Sequence, residues 1–189
     1  MSNQFFQASR MESQFVETDL ISVIFQSAGV DASVTDGTLA VLSGFYNESV
    51  YTSAFGVNTL DINTRIATVT ATPTIAGVGV IDLAVVPTAT GMGNTYRLGT
   101  QTIGLTADAG VPVRFRKFML DDSFFTGGDN FSSAPTVGQY AIVGASGNWV
   151  PSATQPATGL VAKVEKSGAL TQGIDPSVTQ YFLRIVQLQ

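Results

Sequence analysis

The 189-residue chain has no histidine and no cysteine, and only 12% of its side chains are charged, about half the share in an average soluble domain. Without histidine there is no Ser-His-Asp or Cys-His machinery and no imidazole metal ligand. Without cysteine there is no disulfide framework and no thiolate zinc site, and either redox compartment is tolerated. The sequence has no GxSxG, no P-loop and no GxGxxG opening a helix. Gly91-Met-Gly93 starts like a dinucleotide fingerprint but lacks the third glycine and a following helix, and reads as a flexible loop. Long apolar runs are missing as well. The stretch 75–86 is broken by Gly77, Gly79 and Asp82 and is too short to cross a bilayer. The segment MSNQFFQASRMESQF shows no basic start followed by an apolar run, so no signal peptide is expected. These shortages argue against an enzyme. No catalytic residue, no cofactor, no metal and no membrane partner is expected.

What remains is Thr, Val, Ala, Gly, Ser and Phe, the residues of strands and turns. Mean hydropathy is nevertheless positive, at +0.26. Either a large core lies under a Thr/Ser/Gln surface, or much of the surface rests against protein partners. The second is favoured, since apolar, charge-poor faces mark protein contacts.

Charge is unevenly placed. Residues 1–61 hold seven acids against Arg10, and the rest of the chain carries eight bases and seven acids. An acidic first third argues against nucleic acid, whose binding rests on phosphate neutralisation. It fits either a solvated acidic face or a head-to-tail contact between copies.

The coarse pattern predicts an all-β fold: a β-sandwich or barrel-like N-terminal part followed by a smaller barrel-like C-terminal module, with an N-terminal arm. Residues 1–19 contain Phe5, Phe6 and Phe15 without a clear period. They fit an amphipathic helix around 5–17 or an extended arm that orders on a neighbour. Residues 20–120 read as a β-rich domain, with strands at 20–25, 38–46, 49–55, 61–72, 77–86, 96–105 and 111–120. Asp36-Gly37 and Asp108-Ala-Gly110 are turn signals. Residues 121–137 read as a polar, Gly-rich joint, with the domain boundary there or at the Asp108 turn. Residues 138–189 form the C-terminal module: a strand at 138–144, a hairpin turn at 145–148, a return strand from Trp149, then strands at 159–166 and 181–188. Short strands at this spacing suggest a sandwich or barrel.

Few residues stand out as functional. Asp121, Asp122 and Asp129 share a Gly-rich loop. They lack the D-x-D-x-D-G spacing and distal Glu of a calcium loop, so turn capping is the better reading. Arg114, Arg116 and Lys117 form the only basic cluster. On a strand Arg114 and Arg116 share one face, opposite Val113, Phe115 and Lys117. They either line a solvated basic edge, which would also block unwanted pairing, or contact an acidic protein surface. Trp149, the sole tryptophan, is a core residue or an interface anchor. Phe5, Phe6, Phe15, Arg114, Arg116, Lys117 and Trp149 are therefore the partner-contact candidates. Asn47-Glu-Ser49 and Asn130-Phe-Ser132 match the glycosylation sequon and read as chance matches.

The stretch GQYAIVGASGNWVPSA…ATGLVAKVEKSG…YFLRIVQ, roughly residues 138–187, resembles a small β-module frequent in tailed-bacteriophage structural proteins, including head decoration (cement) proteins. Its pattern is a strand, a Gly-Asn hairpin, a Trp, an ATG-hydrophobic strand and a hydrophobic closing strand. The other two-thirds is not covered by this pattern. The resemblance implies a protein made in the host cytoplasm that binds the outside of an icosahedral head. Its partners would be the major capsid protein and other copies of itself, often as a trimer bridging capsomers. Weak contacts gain from multivalency, and exposed strands allow pairing across subunits. Two other classes remain open: a tail, baseplate or head-fibre component, and a carbohydrate- or receptor-binding β-module.

Overall fold

The computed structural model describes residues 4, 6–11, 20–46, 64–69, 78–83, 89–91, 94–96, 105–169 and 179–188. Its strands are β1 (Phe6–Arg10), β2 (Leu20–Ser27), β3 (Val30–Asp31), β4 (Val34–Thr35), β5 (Leu39–Phe45), β6 (Thr64–Thr68), β7 (Val78–Asp82), β8 (Ala89–Gly91), β9 (Asn94–Tyr96), β10 (Thr106–Ala107), β11 (Val113–Lys117), β12 (Ser123–Gly127), β13 (Tyr140–Val143), β14 (Trp149–Ser152), β15 (Leu160–Ala169) and β16 (Thr179–Leu188). A 3-10 turn, Gly128–Asn130, is the only helical element among the described residues. The chain is all-β.

Five strands close a barrel in the order β11-β7-β5-β6-β2, with β11 returning to pair with β2. All neighbours are antiparallel except β2 and β6, which run parallel. Alternation explains the filling. Val23 and Phe25, Ala40, Ala67, Ile81, and Val113 and Phe115 all point inward from their strands to form the barrel core. Gly79 makes room for one of them: a Cβ there would lie 2.5 Å from the Phe115 ring.

The second layer is an open six-stranded antiparallel sheet, ordered β1-β12-β16-β15-β13-β14. It packs on the flank of the barrel made by β5 and β7. Leu39, Val78 and Val80, on the outer side of those two strands, share one core with Phe6, Phe118, Phe124, Trp149, Leu183 and Ile185. That is why β7, VGVID, is buried along its whole length: one side of it fills the barrel and the other meets the sheet.

Two segments differ from their sequence reading. Residues 121–137, read as a joint, contain β12, which lies between β1 and β16 inside the sheet. Phe124 and Thr126 supply its buried side, so the glycines flank a strand and do not replace it. Within the segment read as an arm, residues 6–10 are a sheet edge paired to β12 of the same chain. The C-terminal strands therefore belong to an open sheet that also takes in β1 and β12. Residues 49–55 and most of the strand expected at 96–105 lie outside the described residues.

Polar contacts stitch the layers. Leu39 N–H donates to the Gly147 carbonyl at 2.7 Å, seating the 144–148 turn on β5. Asp36, buried at the turn after β4, accepts the Phe6 N–H on one oxygen and the Leu83 N–H on the other, each at 2.8 Å. Buried Asn130 donates to the Asp36 carbonyl at 3.1 Å.

Candidate interaction surface

The residues singled out from sequence do not converge on one surface. Phe5 and Phe15 lie outside the described residues. Phe6 is buried, its ring 5.3 Å from Phe124. Trp149 is 1% exposed and stacks on Phe124 at 6.0 Å, with Phe118 also 6.0 Å away. Both aromatics hold the seam between sheet and barrel.

The basic cluster has an internal partner. β11 is no edge, because β7 and β2 flank it and close the barrel. Arg116 Nε and Arg114 Nη2 both bond the carboxylate of Asp82 on β7, a residue 3% exposed. Lys117 lies half-buried at the end of β11. Sequence spacing placed the two arginines on one face. It could not show Asp82 arriving beside them from a strand 32 residues away.

The acidic loop separates rather than gathers. Asp121 is exposed and meets Arg184 at 3.3 Å. Asp122 is buried and caps its own turn, accepting the Met119 N–H at 2.8 Å. Asp129 is exposed in the 3-10 turn. Among the described residues no group of three or more acidic side chains could hold a metal ion. Asn130 of the second sequon has its side-chain nitrogen on Asp36, inside the fold.

A surface that the sequence reading passed over is the outer face of the six-stranded sheet. On β16, Tyr181, Leu183 and Ile185 are buried while Phe182, Arg184 and Val186 are half-buried. The first set meets the barrel and the second faces away from it. Register then places Gln7, Phe125, Phe182 and Lys166 in one row across four strands. Phe125 and Phe182 touch, with ring centroids 4.9 Å apart. The next row is Ser123, Arg184, Lys163, Tyr140 and Ser152. Beyond it, Ile142 pairs with both Val150 and Val161. Two apolar patches thus flank a polar strip.

Arg184 on the strip is paired with two acids. Arg184 Nε donates to Glu165 Oε1 at 2.7 Å and Nη1 to Asp121 at 3.3 Å. The hydrogen bond to Glu165 is the main reason the guanidinium is pushed above its ordinary value, with the Glu165 charge next. At the rim, Gln187 takes the Gln155 Nε2–H at 2.8 Å, and its own buried Nε2 has no partner among the described residues. The available signal was the run YFLRIVQL, apolar at both parities of a strand. A strand buried on one face only would alternate.

Such a face offers aromatic contact, aliphatic contact and an Arg-Glu-Asp group. Two hollows are open grooves. One, about 330 Å³, is lined by Leu83, Leu105, Val111 and Pro112 with the Asp82–Arg114 pair at its side. The other, about 210 Å³, is lined by Phe25, Val34 and Val69 with Thr35, Thr38 and Ser146. Neither brings a nucleophile and a base together. No protein-family model, curated protein or solved structure matches this chain.

Proposed function

We propose that this chain is a virion structural protein that binds the outside of an icosahedral phage head, together with other copies of itself as a trimer, and stabilises contacts between capsomers. The observation that carries the reading is the outer face of the six-stranded sheet. There the Phe125–Phe182 pair on one side and the paired Ile142 and Val150 on the other stand half-exposed beside the Arg184 strip. The composition supports it: a chain without histidine or cysteine and with few charges is suited to being covered by protein. The resemblance of residues 138–187 to the phage β-module supplies the kind of shell. In this reading the sheet of β1, β12 and β13–β16 presents the docking face, and the barrel built from strands between residues 20 and 117 supports it.

The test combines solution mass with co-sedimentation on empty heads of the encoding phage. The wild-type chain is expected to be a trimer and to pellet with heads. Phe125→Ser combined with Phe182→Ser is expected to keep a cooperative thermal transition and to lose at least tenfold in head binding. A strict monomer with no affinity for heads overturns the reading. Rings or filaments without head binding would move it to the tail.

A further inference from the structure

Two surfaces that the fold holds apart match each other in kind. One is the outer face of the six-stranded sheet. Its described charges are Lys163, Lys166 and Arg184 against Glu165 and Asp121. Arg184 takes both acids, and among the described residues neither lysine is in an ion pair. The register of β15 on β16 shifts at Glu165, which sets Lys163 opposite Arg184 and Lys166 opposite Phe182. Both lysines therefore share the outward side, and Lys166 adjoins the half-exposed Phe125–Phe182 ring pair.

The other is a corner of the barrel. Residues 27–30 are the hairpin tip joining β2 to β3, and residues 108–112 are the turn between β10 and β11; both are exposed. They lie together, since a Cβ on Gly110 would come 3.4 Å from Asp31 Oδ2. Val30 is 68% exposed and Val111 46%. Asp31 accepts hydrogen bonds from the neutral Gln26 and Tyr46 side chains, and Asp108 is exposed. Neither acid is in an ion pair among the described residues. No Lys or Arg occurs in 27–31 or 105–112. The corner thus offers valines and carboxylates, and the face offers aromatic rings and lysines. The face points away from the barrel, so the two cannot meet within one chain.

We infer that the outer face of the sheet takes the barrel corner of a second copy, Asp31 and Asp108 meeting Lys163 and Lys166 while Val30 and Val111 pack on the Phe125–Phe182 rings. The inference rests on the reading of that face as a docking face and names what docks there. Charge complementarity selects the occupant: the corner carries acids alone, and the face carries one base more than it has acids. Face against face and corner against corner would each set like charges together, which disfavours both. The contact is therefore heterologous, and it closes into a ring when the rotation between copies allows. A ring meets a shell at several points at once and a single copy at one, so losing the contact also weakens head binding.

Sedimentation equilibrium of the full chain tests the inference. The wild-type chain is expected to self-associate. Lys163→Glu combined with Lys166→Glu, and separately Asp108→Lys, are each expected to weaken association at least about tenfold. Equal parts of the two variants are expected to associate again, because the intact corner of the first fits the intact face of the second. A monomeric wild-type chain, variants that associate as tightly as wild type, or no recovery on mixing overturns the inference. Should a variant lack a cooperative thermal transition, salt on the wild-type chain decides. Association is expected to weaken at least about tenfold from about 0.05 to about 0.5 M salt, and an unchanged association overturns the inference. Pelleting with empty heads is read separately. Lysine variants that stay associated but no longer pellet give the face to the shell, which overturns this contact and leaves the reading of function standing.

Discussion

Arg116 donates through Nε to the carboxylate of Asp82, joining β11 to β7 at a residue only 3% exposed. Arg114, two residues along the same strand, reaches the other oxygen of that carboxylate at 3.4 Å. The two arginines are not equivalent. Arg116 is itself largely covered, whereas the Arg114 side chain is 40% exposed. Asp82→Asn should therefore cost about 3 kcal/mol, because it removes the buried charge that both arginines bond. Arg114→Ala should cost less than about 1 kcal/mol, the range of exposed pairs. Urea unfolding at pH 7, followed by circular dichroism, separates the two. Equal losses would contradict the geometry.

Asp36 makes global stability depend on pH in an unusual direction. Its folded-state pKa of about 6 lies above its ordinary 3.8. The folded chain therefore binds the proton first, and stability from this group rises as pH falls through 6. The gain is about 1.4 kcal/mol per pH unit between 6 and 4. It is absent above about pH 7, where both states are ionised. Most carboxylates in ion pairs act the other way. The expected outcome is that unfolding free energy of the wild-type chain minus that of Asp36→Asn increases from pH 7 to pH 5. A difference constant across that range would show that Asp36 is hydrated in the folded chain.

Gly147 is held by its neighbours as well as by its backbone. Its φ is +73°, and a Cβ would lie 2.8 Å from the Leu39 carbonyl oxygen and 2.9 Å from Thr38 Cγ2. Gly29 has a similar φ of +80° but nothing within 4 Å. Gly29→Ala should cost about 1 kcal/mol, the left-handed penalty alone. Gly147→Ala should cost at least about 2 kcal/mol, since the clash adds to that penalty and moves the turn off β5. Thermal unfolding of both variants against the wild-type chain gives the comparison.

Trp149 fills the seam between the layers, with Phe118 and Phe124 each 6.0 Å from its ring. Truncation to alanine should cost about 3–5 kcal/mol through the cavity it leaves. Trp149→Phe keeps much of the ring contact and should cost clearly less. If Trp149→Ala is instead neutral for unfolding but impairs head binding, the residue is an interface anchor and not a core one.

Local patterns in the chain were readable, and long-range pairings were not. The turns at Asp36-Gly37 and 145–148, and the alternation in 159–166, place most strands within a few residues of where they lie. Gly37, with φ +78°, takes up the backbone freedom its position demanded. The stretch expected as a strand at 77–86 holds β7, which is buried along its whole length. What the sequence hid depends on separation along the chain. Phe6 meets Thr126 across 120 residues, and no local propensity encodes such a register. Segment 121–137 misled because its glycines and aspartates are as many as its hydrophobic residues, although Phe124 and Phe125 occupy both faces of a strand there. The candidate surface stayed hidden for a related reason: its rows combine residues from β1, β12, β15 and β16 that are neighbours only once the sheet exists.

The place of β16 at the middle of that sheet sets an order of events during synthesis. β12 and β15 both pair with β16 and not with each other. Until residues 179–188 have left the ribosome, the barrel strands between residues 20 and 117 can already close while the sheet is in two unjoined pieces. The rows on its outer face are assembled only when β16 inserts. A nascent chain would thus be unable to engage partners through that face before the barrel beneath it could fold.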